Sequence, residues 1–301
     1  MKAQPTPSSL GASRLSRQVR RLKLTAWRVA VVAFVTAALV YVLFPFYWML
    51  KSSFQTNVEV VASPPIWLPR TLSLEGYVLA TRFIPFAQYV GNSLIVSLVT
   101  TVVCCLFASM SGYVLSRFRF PGASLILGVI LFAQLVPGTT RIFPVYFLIQ
   151  RLGLLNTYLG LIIAFVGFSL PYATLMLQGY LRTSCPMELE EAAMIDGCNW
   201  FTAFLRIVLP ISAPGITAIS FFAFLGAWND FLWSSLLSTV GDLRTIQVGL
   251  RFFMGEQGGG GGSQVNAFMA ACVMTMIPGL VLFRLGQRYI VRGISAGAMK
   301  G

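Results

Sequence analysis

ELEEAAMIDGCNWFTAFLRIVLP runs from Glu188 to Pro210 and holds four of the chain's nine carboxylates, between two runs that are almost pure hydrocarbon. Pro186 suits the first turn of a helix, where its missing N–H costs nothing, and Ser184 or Cys185 stands where the cap belongs. Glu188, Glu190 and Glu191 then fall at the positive end of the helix dipole. Leu189, Ala192 and Ala193 recur at i, i+3 and i+4, a narrow face of small residues. Gly197 is placed to end the helix in the left-handed conformation. A second helix is expected from Asn199, with Trp200, Phe201, Phe204, Leu205 and Val208 on one apolar face and Pro210 as its stop. The stretch is therefore two short helices joined at a glycine, one acidic and one oily. Such a hairpin docks in a partner's groove or lies on lipid. Anionic headgroups would repel the three glutamates, which favours docking.

The rest of the chain explains the setting. Of 301 residues, 56% are hydrophobic and 10% charged, against about 25% charged in an ordinary soluble domain. So few charges cannot coat a globular surface, and lipid is the expected solvent. Six runs, 28–50, 88–115, 123–149, 158–180, 211–237 and 267–290, are apolar and long enough to span a membrane as helices. They lack the alternation of barrel strands, and helices satisfy their own backbone groups in hydrocarbon. The expectation is an all-α integral membrane fold of six transmembrane helices. Pro137, Pro171, Pro214 and Pro278 fall within these runs, as kinks that shape the bundle or as hinges. Ser109, Ser111 and Gly112 suit close helix contact.

Lys and Arg outnumber Asp and Glu by 22 to 9, for a net charge of +13. In a soluble chain this would point to nucleic acid. Here the excess flanks oily runs and points instead to topology and contact with membrane lipid, with no nucleic-acid partner. Fifteen of the 22 basic residues lie on one side if both termini are cytoplasmic, and the hairpin lies on that side too. The first run is longer than a signal-peptide core of about 7–15 residues and reads as a retained anchor. Met1–Ser13, rich in Pro, Ser and Gly, is expected to be disordered.

The chain has no histidine, and none of its five cysteines has CxxC spacing, which argues against a zinc site or a Cys–His catalytic pair. Gly258–Ser263, GGGGGS, is not followed by Gly-Lys-Ser/Thr and is not a P-loop; it reads as a natural flexible loop or an inserted linker. In the fifth run, Trp228-Asn229-Asp230 places an acid among apolar residues, a functional candidate by default. Asp230 either lines a pathway or holds the bundle together, through Arg141 or through hydrogen bonds.

Glu191-Ala192-Ala193, then Gly197, then Ile207-x-Leu209-Pro210 resembles the EAA motif of permease subunits of bacterial ABC importers, with Cys198 where Ala is common. Asp196 before the glycine is also usual there. The resemblance covers the chain from about Trp27 and implies the type I ABC importer permease fold. It implies that Glu188, Glu191, Ala192, Ala193, Asp196, Gly197, Leu209 and Pro210 form a coupling helix seated in a cytoplasmic ATPase. Glu191 would meet a basic residue, the alanines would allow close approach, and Gly197 would make the bend.

The tail is similar to that of the second permease subunit of maltose-type sugar transporters, in which it reaches the ATPase dimer interface; Gly293, Ser295, Ala296, Gly297, Lys300 and Gly301 match. A Trp-Asn-Asp/Glu run is familiar in the same group, and the outer loop from Thr239 to Asn266 corresponds to one that probes the binding protein. The implied partition is a basic cytoplasmic tract (1–26), a first span (27–50), an extracytoplasmic loop (51–87), a permease core (88–290) containing the hairpin (186–210), and a cytoplasmic tail (291–301).

The implied function is import of a sugar across the bacterial cytoplasmic membrane. The chain would have no enzymatic site and no cofactor of its own, with ATP and Mg held by partner ATPase subunits. Its partners would be a second permease subunit, the ATPase dimer and an extracytoplasmic solute-binding protein. Glycerol phosphate or another polyol is the alternative cargo. An ion-coupled secondary transporter is the rival mechanism, but it would carry several membrane acids and internal repeats.

Overall fold

The computed structural model describes the backbone of residues 7–254 and 264–298 and the side chains of 25–254 and 264–287. The described residues are helical, with no strand. The chain begins with α1 (Pro7–Ser53), the single turn α2 (Asn57–Val60), α3 (Glu75–Phe83) and α4 (Phe86–Arg117). It continues through α5 (Ala123–Leu135), α6 (Ile142–Arg151) and α7 (Tyr158–Ser184). The hairpin follows as α8 (Glu188–Ile195), α9 (Trp200–Ala203) and α10 (Leu209–Ile211). The last elements are α11 (Ala213–Trp228), α12 (Leu232–Leu237), α13 (Ile246–Arg251) and α14 (Val265–Ala298).

Among the described residues four helices are long and apolar enough to cross a membrane: the 25–53 part of α1, α4, α7 and the 265–287 part of α14. The third and fifth expected spans are not single helices. Residues 123–149 divide into α5 and a second piece, Gly138–Arg151, bent by 101°. Pro137 stands at that break, where it cannot donate to the preceding turn. Residues 211–237 give α11, which is about 24 Å long at 1.5 Å per residue and so short of the roughly 30 Å hydrocarbon core, followed after a break by α12. Residues 200–211 meet α11 at 74°, with Pro214 in its first turn. Pro171 and Pro278, in contrast, lie inside continuous helices. Counting each bent pair as one span gives six.

Residues 7–13, within the stretch Met1–Ser13 expected to be disordered, also depart from expectation. α1 is helical from Pro7, with proline at the position that tolerates it and Leu, Arg, Lys and Ala supplying helix propensity. Among the described residues almost nothing covers the apolar part of α1, and its buried residues come only at the end, from Lys51.

The centre of the bundle is the packing of α4 on α7 and α11, with α14 against α1, α3 and α11. Gly112 lets α4 and α7 meet closely: a Cβ there would stand 3.2 Å from the backbone nitrogen of Gln178 and 3.4 Å from the carbonyl of Thr174. Beside it Ser111 and Thr174 share a hydroxyl–hydroxyl bond of 2.9 Å. Leu177, Leu181, Val208 and Ile219 complete the buried cluster below this contact.

Gly112→Ile should therefore wedge the two central helices apart, at a cost of about 1–3 kcal/mol for overpacking. The expected result is a lower thermal midpoint and a smaller monodisperse peak in detergent gel filtration. Wild-type behaviour of this variant would contradict the close α4–α7 approach.

Candidate functional site

The hairpin is built as two helices joined at a glycine. Helix α8 starts at Glu188, not under a Ser184 or Cys185 cap, because α7 runs on through Ser184 and Cys185 ends it. No side chain caps α8; the Met187 carbonyl accepts from the N–H groups of Glu190 and Glu191. At its other end Gly197 has φ +88°. The Cys198 N–H reaches the Ala193 carbonyl at 2.9 Å and the Gly197 N–H reaches Met194 at 3.1 Å, which is the Schellman closure. Nothing would crowd a Cβ at Gly197, so only its backbone conformation demands glycine.

Asn199 caps the second helix, its side chain accepting from the Thr202 N–H at 2.8 Å. Residues Phe204–Val208 then form a π turn, with the Leu209 N–H bonded to the Phe204 carbonyl. Pro210 has no N–H to give the Arg206 carbonyl, and the wider turn absorbs that mismatch. The expected apolar face is accordingly split. Phe204 and Val208 are buried, whereas Phe201 and Leu205 stay exposed and Trp200 packs edge-on against Phe118 at 5.2 Å.

The glutamates are not equivalent. Glu188 and Glu191 face outward, but Glu190 is fully buried. Its Oε1 accepts from Arg117 Nε at 2.6 Å and its Oε2 from the Tyr113 hydroxyl at 2.8 Å. Arg117 Nη2 also donates to the Cys185 carbonyl at 2.7 Å. The Tyr113 ring lies 4.8 Å from that of Phe204. One carboxylate thus ties α8 to the end of α4, to the α7–α8 junction and, through Tyr113, to the π turn. Burial holds the Cys185 thiol above its usual pKa, against the neighbouring Arg117 charge, so it stays a neutral side chain. The alanines divide likewise: Ala193 is buried in its own chain and Ala192 is exposed. The outward face of α8 is Glu188, Glu191, Ala192 and Ile195, at i, i+3, i+4 and i+7, with Ile195 87% exposed and Asp196 and Gly197 beside it. Leu209 and Pro210 lie behind it, in the turn into α11.

The second candidate group separates. Trp228 is buried and stacked on Phe224 at 5.7 Å. Trp228 and Asn229 line a cavity of about 440 Å³ with Gln247, Thr275 and Phe46, between α1, α11, α13 and α14. Asp230 is not among its lining residues; its Oδ1 accepts the Ser234 N–H at 2.9 Å and so holds the start of α12. It makes no ion pair with Arg141, whose guanidinium lies 5.1 Å from the Phe168 ring, on α7. Of the two pairings expected for Asp230, the structure has the hydrogen bond. Among the described residues no cluster of three or more His, Cys, Asp or Glu is placed to hold a metal.

The backbone of Gly293, Ser295, Ala296 and Gly297 continues α14, while Lys300, Gly301 and the glycine tract 258–263 lie outside the described residues. Glu190 itself was readable as acidic but not as buried. Its signal was a distant arginine, Arg117, at the end of another span.

Truncating one partner of a buried ion pair strands the other and costs about 3–5 kcal/mol, whereas replacing both with apolar groups is close to neutral. Glu190→Ala should therefore destabilise the purified protein more than the double change Glu190→Leu with Arg117→Met, by thermal unfolding. Gly197→Asn, tolerant of the left-handed region, should fold, and Gly197→Val should lower stability by about 1–2 kcal/mol.

Residues 18–296 match the family described as binding-protein-dependent transport system inner membrane component. The diacetylchitobiose uptake system permease protein DasC of Streptomyces coelicolor is 33% identical over 269 residues, 89% of this chain and 96% of its own. The trehalose/maltose transport system permease protein MalG of Thermococcus litoralis is 34% identical over 259 residues, 86% of this chain and 92% of its own. The sulfoquinovosyl glycerol transport system permease protein SmoH of Agrobacterium fabrum is 33% identical, covering 89% and 93%. In fold, the chain is similar to a crystal structure of a bacterial ABC transporter involved in the import of the acidic polysaccharide alginate, with a TM-score of 0.74 and 20% identity over 96% of this chain and 100% of that one. With likeness of this extent along nearly its whole length, the chain belongs to the inner membrane components of binding-protein-dependent transport systems.

Proposed function

We propose that this chain is one of two permease subunits of an ATP-driven importer for a sugar, and that the outward face of α8 is its contact with an ATPase dimer. The observation that carries the reading is the hairpin's construction. Buried Glu190 fixes α8 to the bundle, while Glu188, Glu191, Ala192 and Ile195 present an acidic stripe with an exposed isoleucine to the outside. A charged, partly apolar helix face held rigidly is what a groove with a basic residue would grip. Closure of the ATPase dimer would draw the hairpins together and rock the bundle between inward- and outward-facing forms.

The positive-inside bias supports a cytoplasmic hairpin and cytoplasmic termini. In that orientation Gly293, Ser295, Ala296, Gly297 and Lys300 would reach the same ATPases, which would hold ATP and Mg, and this chain would have no hydrolytic site. The outer loop would meet a solute-binding protein.

Sugar is the preferred cargo for two reasons. The relatives named above carry saccharide names. The 440 Å³ cavity also sets the amides of Asn229 and Gln247 and the hydroxyl of Thr275 among aromatic rings, groups that hydrogen-bond to and stack on a polyol. Another polyol would suit the same groups.

In proteoliposomes holding the whole importer, Glu191→Ala should leave the subunits assembled and ATP hydrolysis measurable while uptake falls at least about tenfold, a loss of roughly 1.4 kcal/mol or more in coupling. Full uptake by this variant, and by Gly197→Asp, would remove the docking role. Binding of candidate sugars to the cognate solute-binding protein then sets the cargo.

A further inference from the structure

We infer that the chain carries a binding site for an anionic glycerophospholipid between α4, α5 and α7, on the same side of the membrane as the hairpin. Helices α4 and α5 both pack on α7 and scarcely on each other, which leaves a groove with α7 as its floor. The deep part is an apolar cavity of about 490 Å³ bounded by Met110 and Val114 of α4, Ile126 and Ile130 of α5, and Leu170 and Pro171 of α7. A second cavity of about 500 Å³ adjoins it, with Leu115 and Phe120 lining both. The second cavity is the mouth, and it holds Arg119, Arg182 and Ser124.

Three features commit the site to lipid. The first is charge. Two guanidinium groups stand at the mouth, and no carboxylate lines either cavity. The nearby Glu190 is already held by Arg117 and Tyr113. Arg182 spends one donor on the Leu115 carbonyl at 3.2 Å, and Arg119 makes no hydrogen bond or ion pair among the described residues. Exposed arginines at this depth suit a phosphate, which accepts several N–H groups at once. The second feature is length. From Leu170 to Arg182 the floor rises about 18 Å at 1.5 Å per residue, close to the roughly 15 Å of one leaflet's hydrocarbon. An acyl chain in the groove therefore puts its headgroup at the arginines. The third is position. Basic pockets between transmembrane helices at the cytoplasmic interface are where anionic headgroups gather.

Native mass spectrometry of the intact complex, with dioleoyl phosphatidylglycerol or dioleoyl phosphatidylcholine added in turn, tests the site. Wild type should retain phosphatidylglycerol at least tenfold better than phosphatidylcholine, and inorganic phosphate should not displace it. Arg119→Gln with Arg182→Gln should abolish that preference. Because Arg182 also bonds to α4, Ser124→Glu supplies a second variant: it adds an acid at the exposed mouth without removing an arginine, and should weaken retention about tenfold with the thermal midpoint unchanged. Ile126→Trp should fill the groove and lower retention of both lipids. Equal retention of the two lipids by wild type, retention untouched by Ser124→Glu, or a photoreactive group at Ile126 joining another protein subunit would each overturn the inference. The readout is binding, so it stands or falls apart from cargo and coupling.

Discussion

The pair formed by Arg117 and Glu190 sits where water does not reach, with 5% and 0% of the two side chains exposed. Taking two charges out of water costs several kcal/mol each, and only close geometry with further hydrogen bonds offsets it. Tyr113 and the Cys185 carbonyl supply those bonds. This demand is directional, unlike the packing around it. A hydrophobic contact would let α8 slide by an ångström; a carboxylate gripped at both oxygens does not. The orientation of α8, the exposure of Glu191 and the burial of Ala193 all follow from that one constraint.

The opposite end of the bundle is fixed by neutral groups. Along α4, Asn92 lies about 37 Å from Arg117 at 1.5 Å per residue. Its amide donates to the carbonyls of Asp242 and Arg244 and accepts from the Tyr158 hydroxyl. The Asn156 side chain accepts from the N–H groups of Thr239 and Val240. Irregular backbone between α12 and α13 is tolerable because these amides satisfy its N–H and carbonyl groups. Helix α4 is thus pinned to the hairpin at one end and to the α12–α13 connection at the other. A rigid rod so tethered is suited to carry a displacement across the membrane.

Gly197 announced its left-handed turn because only glycine adopts it freely, and the start of the second helix at Asn199 was legible too, although its capping bond to a donor three residues on was seen only in the structure. Both are local. The spans of α4 and α7 were legible because hydrocarbon solvent demands long apolar runs. The break at Pro137 was visible as a proline, but its 101° angle was not. Asp230 was found as an unusual acid, yet its partner, a backbone N–H four residues on, was one of several options. Glu190 looked like its neighbours Glu188 and Glu191.

Composition, run length and spacing by themselves determined a helical membrane protein with a glycine-hinged acidic hairpin, because solvent and local backbone sterics act residue by residue. Which glutamate is buried and where two arginines meet a greasy groove were decided only by the tertiary structure. Those outcomes depend on groups 60 to 80 positions apart in the chain, such as Arg117 and Glu190, coming within a hydrogen bond's reach. No local rule carries that distance.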